Sequence, residues 1–197
     1  MTLELWNTFA TFGTFLVIAA TAIAALVQLR HARGSNQLEA LNEIRESAER
    51  PYFRDALQFI RTELGDKLKD PAFRYQIENR AAITSENHPL IEKVKTVGNL
   101  YEDMGLLVKA RFLDRELAMQ MWNVDYYWGV LAEYTAIARR QGGDDLWENF
   151  EYLAVLAEDW DVKHPHGTYP AGMRRKHLSD PWLAADAQHV ASLVTSW

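Results

Sequence analysis

The chain contains no cysteine, which excludes disulfides and thiolate chemistry and suits a reducing compartment. It has no glycine-rich phosphate loop, no His-Glu-x-x-His, no paired Glu-x-x-His motifs and no serine or cysteine nucleophile signature. On that ground it is read as a protein without a catalytic site, metal or cofactor. Low-complexity tracts and internal repeats are also missing. Basic residues are absent from the first 29 positions: all 21 lie from Arg30 onward, together with 26 of the 27 acidic residues, so that positions 30–197 carry a net charge of −5. An acidic balance of this kind argues against nucleic acid, whose phosphates need a basic face.

Charge itself is missing from Leu5 to Leu29, LWNTFATFGTFLVIAATAIAALVQL. At about 1.5 Å per residue this run reaches roughly 37 Å as a helix, enough to cross a hydrocarbon core of about 30 Å. A signal peptide would place positive charge before a shorter apolar region; here Glu4 precedes the run and Arg30 and Arg33 follow it, although Ala20-Thr21-Ala22 imitates a cleavage site. The run is therefore read as an uncleaved anchor. Its basic flank predicts an outward N-terminus and a cytoplasmic remainder. Ala10, Gly13, Val17, Ala20 and Ala24 fall along one helical stripe, where small side chains let a second helix approach closely. Such a stripe points to a membrane-protein partner or to self-association.

The rest of the chain reads as helices. Gly34-Ser35-Asn36 is expected to interrupt or weaken the continuation of the span, after which Leu38, Leu41, Ile44 and Ala48 form a narrow apolar seam. Pro51, Pro71 and Pro89 suit first turns of further helices, and Gly65 is placed to end one of them. Leu90, Val94, Val97, Tyr101, Met104 and Val108 recur at heptad spacing, and so do Leu117, Met121, Val124, Trp128, Leu131 and Ala138. The connection at Leu113-Asp114 is short, so these two long helices should lie antiparallel at the centre of the core. Gly98 and Gly105 suggest close approach by a neighbouring helix. Gly142-Gly143 breaks the chain, and Asp144 or Asp145 is expected to cap a helix carrying Leu146, Phe150, Leu153 and Trp160. A loop rich in proline and glycine, the basic cluster Arg174, Arg175 and Lys176, and a last helix after Asp180-Pro181 follow.

The fold class predicted is all-α: a transmembrane helix at 5–29, a juxtamembrane amphipathic helix at 30–50, a helical domain at 51–162 built on a long antiparallel helix pair, and a loop with a C-terminal helix at 163–197. Arg30 and Arg33, with Arg174 to Lys176, are candidates for lipid headgroup contact. Trp122, Tyr126, Tyr127 and Trp128 cluster on one helix as interface candidates; a ligand-binding role would require a pocket beside Trp122 or Trp128. The nearest approach to a metal set is Asp159, Asp161, His164 and His166, read as solvated loop residues. Asn99, Glu102 and Asp103 form one polar patch and Glu148 with Glu151 another, both read as helix surface.

The segments NLYEDMGLLVKARFLDRELA and ENFEYLAVLAEDW, preceded by QLRHARGSNQLEAL after the apolar run, resemble a family of uncharacterised bacterial proteins known only as a domain of unknown function. The resemblance covers roughly residues 15 to 160 and stops near Asp161. It implies a membrane helix followed by a helical domain, in a bacterial inner membrane, and no reaction. A membrane-anchored protein that works by protein–protein interaction, as an accessory or structural subunit, is the function expected; a tethered ligand-binding or metal-dependent enzymatic domain is the alternative.

Overall fold

The computed structural model describes residues 3–194, and the described residues form helices and turns with no strand. Helix α1 runs from Leu3 to Glu49 without a break. The expected interruption at Gly34 does not occur. A glycine inside a helix costs only about 1 kcal/mol relative to alanine, and no proline removes a hydrogen bond there, so two long flanking segments carry the ladder through.

The two halves of α1 have different surroundings. Thr11 to Leu29 is long and apolar enough to cross a membrane, and none of it is buried against the rest of the chain. The lower half docks: Leu41, Ile44 and Ala48, three and four residues apart, pack on the core against α2 (Pro51–Thr62) and α5 (His88–Lys109). Pro51 opens α2 as expected, and Phe53, Ala56, Phe59 and Ile60 form its buried face. Helix α2 ends at Thr62, ahead of Gly65, which lies inside the short α3 (Leu64–Lys67).

In α4 (Pro71–Glu78) the Asp70 carboxylate accepts the Ala72 N–H at 2.8 Å, while Phe73 and Ile77 enter the core. A 3₁₀ turn at Arg80–Ala82 leads towards α5, which buries Val94, Val97, Tyr101, Met104 and Val108. The second long helix of the expectation is divided in two. Helix α6 (Arg115–Met121) is capped by Asp114 on the Leu117 N–H at 2.9 Å, Trp122 is extended, and α7 (Val124–Gly142) starts afresh. Helices α5 and α7 do run antiparallel, with Tyr101 meeting Tyr127 and Ile91 sharing a cavity wall with Ala138. The most extensive packing of α5, however, is with α8 (Glu148–Lys163). Helix α8 starts after Leu146 and is capped by neither Asp144 nor Asp145.

From His166 onward the described residues, to Val194, belong to a second compact unit. Within it the Tyr169 hydroxyl donates to the Arg174 carbonyl at 3.2 Å, the Arg175 guanidinium lies 4.6 Å from the Tyr169 ring centre, and α9 spans Leu183–Val194.

Candidate functional site

On α5, residues 98, 101, 102, 105 and 109 are three or four positions apart and so share one face. That face receives the start of α8. Trp147 has φ 58° and ψ 37°, a left-handed conformation that costs a side-chain-bearing residue roughly 1–2 kcal/mol. In that position its indole is buried over Gly98, where a Cβ would overlap the ring. The indole N–H donates to Asn99 Oδ1 at 2.9 Å, and the ring stacks on Tyr134 with centres 5.9 Å apart.

Trp147 occupies the N-cap of α8 but offers no acceptor to its free N–H groups. Glu102 supplies one from the neighbouring helix. One carboxylate oxygen accepts the Phe150 N–H at 2.9 Å and the other the Asn149 amide at 2.7 Å, placing negative charge where the helix dipole favours it. Lys109 reaches Asn149 Oδ1 at 3.1 Å and Glu148 at 3.5 Å. Beneath them the Asn149 carbonyl fills the space a Cβ on Gly105 would need, and Tyr101 stacks on Phe150 at 4.8 Å. Both glycines thus permit close approach, as their spacing suggested. The two polar patches also come together, since Glu102 and Glu148 meet at one joint, while Glu151 pairs with Arg139 at 2.7 Å.

Burial raises the pKa of Tyr101 well above the usual phenol range, with Arg61 opposing it weakly. Asp103, on the outer side of the joint, is raised by partial burial and then by the charges of Glu102 and Glu43.

Beside the joint lies a cleft of about 560 Å³ between α4, the 3₁₀ turn, α5 and α7. Tyr134 and Trp147 form one wall, isoleucines 77, 83 and 91 another, and Arg80, Lys95 and Asn99 bring polar groups. No local sequence pattern marks it, because its walls come from α4, the 3₁₀ turn, α5, α7 and the residues just before α8.

The other sequence-derived candidates fall in different places. Gly13, Val17, Ala20 and Ala24 are exposed along α1, and Gly13 has nothing within 4 Å of its Cβ position. Ala10, Arg30 and Arg33 lie on the helical backbone of α1, and their side chains are outside the described residues. Tyr127 is a core residue rather than an interface one, with Arg61 donating to its hydroxyl. Trp128 is half-buried, edge-on to Phe150 at 5.0 Å. Tyr126 is exposed, and Trp122 lines an open groove of about 310 Å³ with Trp160. Arg174, Arg175 and Lys176 are exposed in the second unit. His164 stacks on Trp160 at 3.8 Å; among the described residues no three His, Asp or Glu side chains gather to hold a metal ion.

No curated protein and no solved structure matches the chain. One family model does, over residues 15–160, a range that takes in most of the exposed half of α1, both sides of the α5–α8 joint and the cleft; the chain belongs to the family described as domain of unknown function DUF4760.

Proposed function

We propose that this chain is a membrane-tethered interaction protein: α1 anchors it in a bacterial inner membrane with the N-terminus outside, and the acidic helical domain docks on a membrane-protein partner, or on a second copy, at the cytoplasmic face. The observation that carries this reading is α1 itself. Its upper half is apolar and wholly unburied, and the same uninterrupted helix ends packed in the domain core. An apolar surface of that length needs lipid or protein around it.

Arg30 and Arg33 follow the span and set its orientation. Leu41, the first residue to reach the core, lies twelve residues beyond Leu29, or about 18 Å along the helix. That distance is about two Debye lengths at physiological salt, so an acidic domain there feels little repulsion from anionic lipid and is free to meet a protein. The stripe through Gly13, Val17, Ala20 and Ala24 provides the intramembrane contact, and Arg174, Arg175 and Lys176 add attraction to anionic headgroups of roughly 1 kcal/mol each near the surface. Tyr126 and the half-buried Trp122 and Trp128 are the aromatic part of the docking surface.

The test is to purify the full chain from membranes in mild detergent and determine its native mass and composition. Extraction as a stoichiometric complex or a defined oligomer is expected, and Gly13→Leu with Ala20→Leu should dissociate it. Recovery of a monomer alone would remove the interaction, and recovery from the soluble fraction would remove the tether.

A further inference from the structure

The domain packs tightly at the α5–α8 joint yet leaves the adjoining cleft open, and the cleft is lined by two polar groups, the Tyr134 hydroxyl and the Arg80 guanidinium, that make no hydrogen bond or ion pair among the described residues. Tyr134 is 3 % exposed, and its hydroxyl has no hydrogen-bond partner among the described residues. The ring is buried, but the hydroxyl itself opens to the cleft rather than being sealed in the core without a partner. At the rim, Arg80 sits on the 3₁₀ turn without an ion pair among the described residues, whereas Arg139 and Arg140 nearby are matched to Glu151 and Glu78.

We propose that the cleft binds a small organic monocarboxylate with an apolar body, its carboxylate held by Arg80 and the Tyr134 hydroxyl and its body lying against Ile77, Ile83 and Ile91. The size fits, since about 560 Å³ is within the range of small-molecule sites, roughly 300–1,000 Å³. The chemistry fits as well. A guanidinium presents parallel N–H groups to the two oxygens of a carboxylate. Burial, with Glu92 nearby, keeps the Tyr134 phenol protonated as a donor, and Arg80 is close enough to pull in the opposite direction. Asn99 spends its oxygen on the Trp147 indole, which leaves its amide N–H groups as donors towards the same space.

A phosphate fits less well. Glu78 is held by Arg140, and Lys95 is engaged by Glu92 at 2.7 Å, so among the described residues the cleft offers one uncommitted cation and two nearby carboxylates, which suits a single negative charge rather than two. The apolar wall excludes a fully hydrated ion as the natural occupant. A cationic ligand would meet Arg80 at the rim and find both acidic groups already paired. This site is independent of the tether and of any docking partner.

The experiment uses the full-length protein in zwitterionic nanodiscs, titrated calorimetrically at pH 7 with phenylacetate, 4-phenylbutyrate and octanoate, each beside its neutral primary amide, with empty discs subtracted. Saturable one-site binding of at least one acid is expected, with its amide about 10-fold weaker or more, as for loss of a charge-assisted hydrogen bond. Arg80→Gln should weaken the acid by about 10-fold and leave the thermal midpoint unchanged, because Arg80 is exposed and unpaired. Tyr134→Phe should weaken it by a smaller factor. Absence of saturable binding for all three acids, equal affinity for acid and amide, or full affinity in Arg80→Gln would each overturn the proposal.

Discussion

The apolar half of α1 and the α5–α8 joint use the same small residue for opposite ends. Gly13 has open space where a Cβ would stand, whereas the corresponding space at Gly105 is filled by the Asn149 backbone. In the joint the partner is part of the same chain, and the contact is already made. Along α1 the small residues face open space. A small residue in a helix therefore says that something comes close only when the other side is known, and in this molecule the domain supplies its own other side while the apolar half of α1 does not.

The comparison can be broken most strongly at Trp147. Truncation to alanine removes a buried ring, the Asn99 hydrogen bond and the stack on Tyr134, so a loss of about 3–5 kcal/mol in domain stability is expected. Val17→Ala, in the exposed half of α1, should leave the domain transition where it is. Chemical denaturation followed by tryptophan fluorescence separates the two outcomes; equal effects would mean that the halves of the molecule are not energetically distinct.

A smaller and sharper version uses the glycines themselves. Gly105→Ala forces a methyl into the Asn149 carbonyl and should cost about 1–3 kcal/mol, because backbone on that side has to move. Gly13→Ala, with nothing to strike, should change domain unfolding by less than about 0.5 kcal/mol. Thermal melts of the two variants test this, and a destabilised Gly13→Ala domain would contradict it.

The smallest effect is expected at Asp103, where α1 and α5 bring Glu43 and Glu102 near a third carboxylate. Partial burial and those two charges raise its pKa in the native state above the ordinary 3.8, so the folded protein binds its proton more tightly than the unfolded chain does. This contribution to stability is fully present below the unfolded value and is lost as pH rises through the raised native value. Asp103→Asn should consequently be more stable than the wild type at pH 7, with the difference closing as pH falls towards 4. A gap that widens on acidification would reverse the assignment.

Much of this architecture could be read from local pattern. Prolines 51, 71 and 89 do stand in the first turns of α2, α4 and α5, and of the α5 heptad residues Val94, Val97, Tyr101, Met104 and Val108 are buried while Leu90 is half-buried. The errors share a physical origin. Gly34 was expected to weaken the helix on propensity alone, but about 1 kcal/mol is small against a long cooperative ladder. The break at Trp122 and Asn123 escaped notice because the apolar spacing of Leu117, Met121 and Val124 continues across it. Tyr127, an interface candidate by its place in the aromatic cluster, is one of those that point to the core, where it meets Tyr101 and Arg61.

The joint and the cleft were less legible. Glu102 caps a helix that begins 46 residues later, and no local rule pairs those positions. Only the two glycines carried a trace of the contact. Arg80 and Tyr134 are 54 positions apart and became neighbours through the packing of α4 on α7, a tertiary event with no signature in either segment.

The unbroken passage of α1 through Gly34 also fixes an angular phase. Each residue of an α-helix advances about 100° around its axis, so the direction in which the Gly13–Ala20 stripe faces determines, residue by residue, the direction in which Leu41 and Ile44 present the domain. Inserting a single alanine between Leu29 and Leu41 would swing the domain about a quarter turn while raising it only about 1.5 Å. Inserting seven would nearly restore the bearing and lift it by about 10 Å. Whatever grips the stripe thereby chooses the compass heading of the cleft.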